Sequence, residues 1–325
     1  MHLNRRARDI VAPLLETPDR FAVACQRIGG AWVVDCGVEA AGGVEAGLIM
    51  ARAAMAGLGE VVLRPAGAAV AAWPGCPWPT VAVASREPIA ACLAAQYAGW
   101  RVKAPGYFAM ASGPLRAAIG REPLFDTIGR RERPDVAVGL LEASALPPAE
   151  VCRTLAADAG VAPEALVLLV ARTASPAGTL QVIARSLETA LHKLHDLGFA
   201  LDRIRAGRGT APLAPVPDDD LVAIGRTNDA ILYGGHVVLE VTGDAAALED
   251  VGPRMVSGAS PAAGAPFLQL FEQAGRDFYA LDPALFAPAA VELIAVETGR
   301  GHRFGRMMPE IVATSFAAPA PAVEG

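Results

Sequence analysis

The sequence has few aromatic and few charged residues. Aromatic residues make up 6% and charged residues 19% of the 325 residues, whereas hydrophobic residues make up 53%. A chain with this much apolar surface can offset the conformational entropy lost on folding, which excludes an intrinsically disordered protein. Glycine (33) and proline (26) recur without a fixed period, so collagen and simple repeats are excluded as well.

Positive charge is also scarce. Lys and Arg total 28 against 34 for Asp and Glu, which gives a net charge of −6, and the only lysines are Lys103 and Lys193. A mildly acidic chain lacks the basic field that nucleic acids require of a binding protein. We therefore expect no nucleic-acid partner.

Paired cysteines and long apolar runs are missing too. The five cysteines include no CxxC motif and lie in apolar stretches, which is typical of reduced, buried thiols rather than disulfides or a zinc site. The first ten residues hold no apolar signal-peptide core, and apolar segments such as 165–171 fall far short of the ~20 residues that span a bilayer. These features predict a cytoplasmic protein with no membrane partner.

What the sequence does contain is an alternation of strand-like and helix-like segments. Strand candidates alternate along the chain with helix candidates. Strands are predicted at 31–35, 68–73, 135–142, 166–171 and 230–242 and in a closing hairpin of 289–297 and 302–307, and helices at 44–55, 87–99 and 148–160. This alternation predicts an α/β fold. Two prolines near residue 147 predict a boundary between an N-terminal domain, 1–145, and a C-terminal domain, 146–325, although more than one crossing of the chain between domains is compatible with the pattern.

Common catalytic motifs are absent from the sequence. It contains no GxxxxGK[ST], HExxH or GxSxG motif, and no GxGxxG at a strand–helix junction. Two glycine-bearing junctions remain, the loop from Gly37 to Gly47 and the string Ser112-Gly113-Pro114, with Arg116 in the turn that follows. Backbone N–H groups at such junctions can bind an anion, but a plain strand–helix turn is the interpretation that the first pattern favours.

The segment 180–197 predicts one long helix with two stripes. Its apolar stripe includes Ile183, Leu187 and Leu191, and its polar stripe consists of Arg185, Glu188, His192 and His195. An arginine three residues from a glutamate can tune the carboxylate for base catalysis, and two histidines can bind a metal, although no third ligand is evident. A solvated helix face with a weak ion pair, worth about 0.2–0.5 kcal/mol, is the alternative that the pattern alone favours.

A polar run interrupts the apolar segments at Arg226–Asp229. Asn228 and Asp229 are residue types that cap helices and close turns, so the run predicts a cap or a turn. A ligand-binding role for the two side chains is the alternative.

Several of these strings together resemble the methenyltetrahydromethanopterin cyclohydrolase family, and the order of the strings along the chain is also that of the family. The strings are Gln96–Trp100, Tyr107–Pro114, Gln181–Glu188, Gly225–Gly235, Asp277–Pro288 and Thr298–Gly305. The resemblance runs from about residue 35 to residue 316, with an ending similar to the bacterial branch.

The resemblance implies both a fold and an activity. The fold is two α/β domains, with mixed sheets flanked by helices and a cleft between the domains that binds the pterin. The activity is the interconversion of 5,10-methenyltetrahydromethanopterin plus water with the 5-formyl derivative, by a cytoplasmic homotrimer that needs no cofactor and no metal.

The resemblance also implies which residues act. The family's catalytic pair falls on Arg185 and Glu188, with Glu188 as the base that takes a proton from water and Arg185 as the group that orients it. The implied substrate contacts are Tyr97, Ser112, Gly113, Arg116, Thr173, Ser175, Asn228, Asp229 and Phe286.

The chain departs from the family pattern at several positions. Ser260-Pro261-Ala262 stands where the family usually has Ser-Arg-Asp, and Arg172 stands where it usually has proline. These departures keep open a non-catalytic or diverged pterin-binding paralogue that retains the fold and the trimer. A third hypothesis is an unrelated α/β hydrolase that uses His192 and His195 with a metal.

Overall fold

A computed structural model of the chain describes residues 2–67 and 73–317, without the side chain of Tyr279. The chain forms two units, one built from Met1–Glu60 and Ile89–Val182 and the other from Val61–Pro88 and Ile183–Gly325. The predicted boundary near residue 145 falls inside the first unit, because the chain enters the second unit after residue 60 and returns at residue 89 before leaving again.

The described residues contain eleven α-helices and twelve strands. The helices are α1 (Leu3–Glu16), α2 (Val44–Ala54), α3 (Leu115–Ile119), α4 (Leu124–Ile128), α5 (Ala149–Ala159), α6 (Pro176–Ile183), α7 (Ser186–Asp196), α8 (Asp220–Leu232), α9 (Ala245–Val251), α10 (Phe267–Gln273) and α11 (Pro309–Ala317). The strands are β1 (Ala24–Ile28), β2 (Ala31–Asp35), β3 (Gly59–Arg64), β4 (Thr80–Ser85), β5 (Trp100–Ala104), β6 (Tyr107–Ser112), β7 (Ala137–Glu142), β8 (Leu166–Ala171), β9 (Ile204–Pro212), β10 (His236–Val241), β11 (Ala290–Ala295) and β12 (Gly301–Gly305).

The first unit is organised around a six-stranded sheet in the order β1-β2-β8-β7-β6-β5. The neighbours β2, β8 and β7 are parallel, and the outer pairs are antiparallel. Every residue of β8 is buried, because helices cover both faces of the sheet centre. Alternate residues serve opposite layers: Val33 and Leu168 belong to one apolar cluster, and Val34 and Leu169 to another.

The second unit contains a six-stranded sheet in the order β12-β11-β10-β9-β4-β3. Strands β10 and β11 are parallel, and β9 runs antiparallel to both β10 and β4. On β10, Val237, Leu239 and Val241 are buried, whereas His236 and Glu240 on the opposite face are partly exposed. The predicted α/β class, with mixed sheets flanked by helices, is confirmed.

The segment Ile89–Gln96 forms a π-helix rather than an α-helix. The N–H of Tyr97 accordingly donates to the carbonyl of Cys92, five residues back, at 2.8 Å. The sequence predicts a helix here, and its position is confirmed, but the wider π-helical turn was not expected. Such turns are rare and are frequently found at functional sites.

The structure corrects two predicted elements. The single helix predicted over 180–197 is two helices, α6 and α7, separated at Ala184 and Arg185. The strand predicted over 230–242 is wrong for its first six residues: the first three end α8, and the next three connect it to β10. The strand predicted at 68–73 lies almost entirely outside the described residues.

A membrane span is not found in the described part of the chain. None of its helices is both long enough and apolar enough to cross a bilayer.

Candidate active site

The start of α7 carries the two residues predicted to be catalytic. Arg185 immediately precedes the helix, and Glu188 lies in its first turn. Each is only 6% exposed, so neither belongs to the solvated helix face that the sequence pattern favours. The carbonyl of Arg185 accepts hydrogen bonds from the backbone N–H of Thr189 at 2.9 Å and from its hydroxyl at 3.0 Å. The break between α6 and α7 therefore brings both side chains to a helix N-terminus.

Two glycines of β9 determine how closely this helix start approaches the sheet. A Cβ at Gly209 would lie 2.5 Å from the hydroxyl oxygen of Ser186 and 2.9 Å from the backbone nitrogen of Leu187. A Cβ at Gly207 would lie 2.6 Å from the Leu187 side chain. The first turn of α7 thus packs directly on the β9 backbone, and any larger residue at either glycine would displace it. Sequence reasoning missed both glycines, although glycine at alternate positions of a strand is a signal of close approach.

The electrostatics of the helix start suit a carboxylate. The helix dipole stabilises negative charge in the first turn, where Glu188 lies. The guanidinium of Arg185, three residues before Glu188 and at the N-cap position of the helix, adds a positive charge. The pair can therefore present a charged acceptor beside a cationic group in a largely buried setting.

Phe286 belongs to a group of four phenylalanines in the second unit, Phe267, Phe271, Phe278 and Phe286, which we call the phenylalanine cluster. The ring of Phe286 lies 6.1 Å from that of Phe267 and 6.3 Å from that of Phe278. Phe271 and Phe278 are 4.5 Å apart, and Phe278 is 39% exposed. An apolar wall of this kind can pack against a flat heterocycle.

Asn228 and Asp229 lie inside α8, so the predicted cap or turn at this run is wrong. The helix is capped instead by Asp219, whose carboxylate accepts from the N–H of Val222 at 2.9 Å. The amide of Asn228 donates to the carbonyl of Ile224 at 2.9 Å. Asp229 is fully buried and accepts from the N–H of Phe267 at 2.8 Å, which fixes the start of α10.

In the first unit, Thr173 and Ser175 lie in the loop that follows β8, at the carboxyl edge of the parallel strands. The hydroxyl of Ser175 accepts from the N–H of Gly178 at 3.0 Å and so caps α6, and it donates to the carbonyl of Arg172 at 2.8 Å. The hydroxyl of Thr173 donates to the carboxylate of Glu142 at the end of β7. Ligands of open α/β sheets bind outside this edge, and Glu142 is a residue there that sequence reasoning missed.

The glycine loop after β2 is organised by Asp35, which is 1% exposed. Its two carboxylate oxygens accept hydrogen bonds at 2.7 to 2.9 Å from the backbone N–H groups of residues 37, 38, 39 and 40. These N–H groups therefore already bind an anion, the side chain of Asp35, which supports the tight-turn interpretation of the loop. An aspartate directly before a glycine loop was the available signal.

Arg116 is sequestered in the first unit. Its guanidinium is paired with Glu122, donates to the carbonyl of Leu93 at 3.0 Å, and lies 4.7 Å from the ring centre of Tyr97. Leu93 belongs to the last turn of the π-helix, where carbonyls have no partner within the helix. This packing supports a structural role for Arg116; contacts of Arg116 and Tyr97 with substrate stay predictions.

Ser112 and Gly113 join β6 to α3. Ser112 is the last residue of β6, and Pro114, not Ser112, occupies the position before α3. Gly113 has φ +90°, and a Cβ there would lie 2.9 Å from the Leu140 side chain, so the turn requires glycine. Neither observation tests the predicted substrate contact.

The two histidines of α7 lie near each other and near one carboxylate. Their rings are 6.5 Å apart, and His192 Nδ1 faces the carboxylate of Asp196 at 3.6 Å. Within residues 2–67 and 73–317, no group of three or more His, Cys, Asp or Glu side chains is arranged to hold an ion.

The predicted residues thus fall into two sets. The second unit holds Arg185, Glu188, Asn228, Asp229 and Phe286, and the first holds the remainder. Within the second unit, the start of α7 carries the predicted catalytic pair, and the phenylalanine cluster forms an apolar surface.

Comparison with known proteins shows similarity along nearly the whole chain. The family model described as Cyclohydrolase (MCH) matches residues 2–316. A protein of Methylobacterium sp. (strain 4-46) is 45% identical over 97% of this chain and 97% of its own length, and one of Methylobacillus flagellatus is 40% identical over 97% and 95%. A protein of Methanospirillum hungatei is 39% identical over 97% of this chain and 98% of its own length. All three are named methenyltetrahydromethanopterin cyclohydrolase.

Proposed function

This chain belongs to the cyclohydrolase (MCH) family, and we propose that it interconverts 5,10-methenyltetrahydromethanopterin plus water with 5-formyltetrahydromethanopterin. The observation that carries the proposal is the identity of 39 to 45% over 97% of the chain to relatives that bear this activity in their names. The buried Arg185 and Glu188 at the start of α7 supply side chains suited to that chemistry.

The substrate is itself a strong electrophile. Its methenyl carbon lies between two nitrogens that share a positive charge, so attack by water needs a proton acceptor more than a group that polarises the carbon. As the water oxygen bonds to this carbon, Glu188 takes the proton that the water loses. The bond between this carbon and N10 then breaks, and N10 takes the remaining hydroxyl proton of the adduct. The carbon stays on N5 as a formyl group, and the proton taken by Glu188 is the one released overall.

Glu188 and Arg185 have different roles in the proposed reaction. Glu188 as a carboxylate also stabilises the cationic ring before attack, since opposite charges interact strongly in a site that excludes water. Arg185 orients the carboxylate and the water through its fixed fork of N–H donors. The start of α7 holds both groups in place because Ser186 and Leu187 pack on the β9 backbone.

Replacement of the proposed base tests this assignment. Glu188→Gln preserves the shape of the side chain but cannot accept a proton, so we expect the rate of loss of methenyl absorbance to fall by about 10²–10⁴-fold. Glu310→Gln is the matched control, because Glu310 also lies in the first turn of a helix, α11, and is exposed. A Glu188→Gln enzyme with the parent rate would contradict the assignment.

The same assay separates the enzyme from a non-catalytic paralogue. Tetrahydromethanopterin and tetrahydrofolate forms of the substrate are assayed side by side after dialysis against a chelator. Turnover of the methanopterin form supports the proposal, whereas binding without turnover would favour the paralogue suggested by Pro261 and Ala262. Activity that is lost on dialysis and restored by a metal would favour the hypothesis of an unrelated hydrolase in which His192 and His195 bind a metal.

The assembly and the compartment are part of the proposal. We expect a homotrimer of the 33.5 kDa chain that acts in the cytoplasm without a bound cofactor, as the family resemblance implies. Light scattering on the purified protein measures the assembly, and a mass of one or two chains would contradict it.

A further inference from the structure

Lys193 is a buried cation for which the proposed mechanism has no use. It lies in the last turn of α7, five residues after Glu188, and is 4% exposed. Burial lowers the pKa of its ammonium group, an effect that the nearby carboxylates of Asp196 and Asp282 oppose. Because lysine is rarely buried without a specific partner, the contact that it makes deserves an explanation in terms of function.

The partner of Lys193 is a backbone carbonyl on a distant part of the chain. Its ammonium group donates to the carbonyl of Pro283, the first residue of the short turn Pro283–Leu285. Asp282 caps this turn by accepting from the N–H of Ala284 at 3.0 Å. The other carboxylate oxygen of Asp282 accepts from the hydroxyl of Ser260 at 2.5 Å.

Phe286 follows this turn directly. The carbonyl that Lys193 binds is therefore three residues from a ring of the phenylalanine cluster. Ser260 and Asp282 fix the turn to its own surroundings, and Lys193 alone of these three residues fixes it to the helix of Glu188.

The position of Lys193 on the helix excludes direct action on the reacting atoms. Five residues correspond to about 7.5 Å along the axis and about 140° around it, so Lys193 and Glu188 project from different faces of α7. With its ammonium group on Pro283, Lys193 can influence the reaction only through the turn that it holds.

We propose that Lys193 is a positioning residue: by holding the turn Pro283–Leu285, it keeps Phe286, on one side of the pterin site, at a fixed position relative to Glu188. The inference rests on the proposed function, since it assigns Phe286 to the wall against which the substrate packs. A neutral side chain at residue 193 would leave the Pro283 carbonyl without its donor and allow the turn to move relative to α7.

Kinetics of lysine variants test the proposal. We expect Lys193→Met to raise KM for the methenyl substrate about tenfold, which is the effect of losing one charge-assisted hydrogen bond. The value of kcat should stay within about twofold of the parent, and the shape of its pH profile should not change. Lys193→Arg retains a donor and should recover most of the affinity. Lys103→Met is the matched control, because Lys103 is the only other lysine and is exposed on β5.

A double-mutant cycle identifies the route of the effect. If Lys193 acts through Phe286, Lys193→Met should change KM less than about twofold in a Phe286→Ala background. An equal change of KM in both backgrounds would overturn the proposal. Lys193→Leu, which also lacks a donor, serves as the second variant in the same two backgrounds if the methionine variant does not fold.

Hydrogen exchange measured by mass spectrometry reports on the contact without any assay of activity. In Lys193→Met without substrate, peptides that cover residues 277–288 should exchange faster than in the parent, and peptides of the first unit should not. Faster exchange with unchanged KM would show a structural contact only and overturn the positioning role, while the proposed function would stand. A parent protein that turns over no pterin would overturn the proposed function and the positioning role together, whatever the exchange shows.

Discussion

Asp229 shows how burial changes the behaviour of a single residue. The sequence places it in a polar run, yet the structure buries it completely in α8, against the start of α10. Burial raises the pKa of its carboxyl group from 3.8 to about 7, and the hydrogen bonds from Ser315 and from the Phe267 N–H oppose this shift. Its established contact is with the protein backbone, so its effect on stability is the first property to measure.

The raised pKa predicts how stability depends on pH. Between about pH 4 and pH 7 the folded protein keeps a proton on Asp229 that the unfolded chain has released, so the free energy of unfolding falls as pH rises through this window and levels off above it. Asp229→Asn removes this contribution, which amounts to roughly 4 kcal/mol at most across the window. Urea denaturation at intervals of pH measures it.

Asp250→Asn is the control for this measurement, because Asp250 is an exposed carboxylate on α9. A parent and an Asp229→Asn variant with parallel stability profiles between pH 4 and pH 7 would contradict the prediction.

Residue types alone predict the nature of a contact poorly. Arg116 is a predicted substrate contact, and the structure shows that its guanidinium is paired with Glu122, donates to the Leu93 carbonyl and lies beside the Tyr97 ring. An arginine after a glycine turn has the same appearance in a sequence whether its charge meets a ligand or a neighbouring carboxylate. The distinction depends on Glu122 and Leu93, which only the fold brings to it.

At the scale of elements, the packing of α7 on β9 depends on glycine. The first turn of the helix carries Glu188 and packs against the β9 backbone at Gly207 and Gly209. Local periodicity predicts a helix through this region but cannot show that it breaks before Ser186. The break coincides with the place where the helix meets the sheet.

Gly209→Ala tests whether this packing contact positions Glu188. The added Cβ would overlap the Ser186 hydroxyl and the Leu187 backbone, so we expect a loss of about 1–3 kcal/mol in stability, with a fall in kcat because Glu188 moves with the turn. Gly258→Ala is the control, since a Cβ there meets only a methionine methyl at 3.7 Å. Melting temperature and turnover are measured for both variants, and equal values in all three proteins would refute the role of Gly209.

The π-helix at Ile89–Gln96 is a second element that sequence could not specify. Its residues are mostly alanine and other apolar types, and Ala90, Ala91, Ala94 and Ala95 are all buried. The composition predicts a helix but does not distinguish the wider turn from an α-helical one. In the structure, Ala94 and Ala95 pack in one buried cluster with Phe125.

At the scale of the whole molecule, the reactivity of the cysteine thiols measures whether the folded structure is intact. All five cysteines are free, four of them buried and Cys25 partly exposed. Burial raises the pKa of the Cys152 thiol to about 11 and also raises the pKa values of Cys25 and Cys36. The thiolate, which is the reactive form, is therefore disfavoured at these three residues.

We expect Ellman's reagent at pH 8 to react slowly with the native protein and to count all five thiols after unfolding in guanidinium chloride. The protein kept under reducing conditions until the measurement is the control for oxidation during storage. Fast release of two or more equivalents from the native protein would contradict the burial of Cys36, Cys76, Cys92 and Cys152.

The sequence by itself determined the class of the protein and most of its elements. Hydrophobic periodicity and glycine or proline punctuation are local properties, so strands such as β8, helices such as α5 and the hairpin of β11 and β12 could be predicted from them. The order of the family strings also identified the family, and the prediction that Arg185 and Glu188 are the catalytic pair came from this resemblance.

The tertiary structure decided what depends on residues distant in sequence. Only the fold shows that Asp35 occupies the N–H groups of its own loop, that Glu142 meets Thr173, and that Lys193 reaches Pro283. It also decided the break before α7 and the passage of the chain between two units. Such features depend on the burial of charge and on close approach between backbones, which arise only when segments far apart in the chain pack against one another.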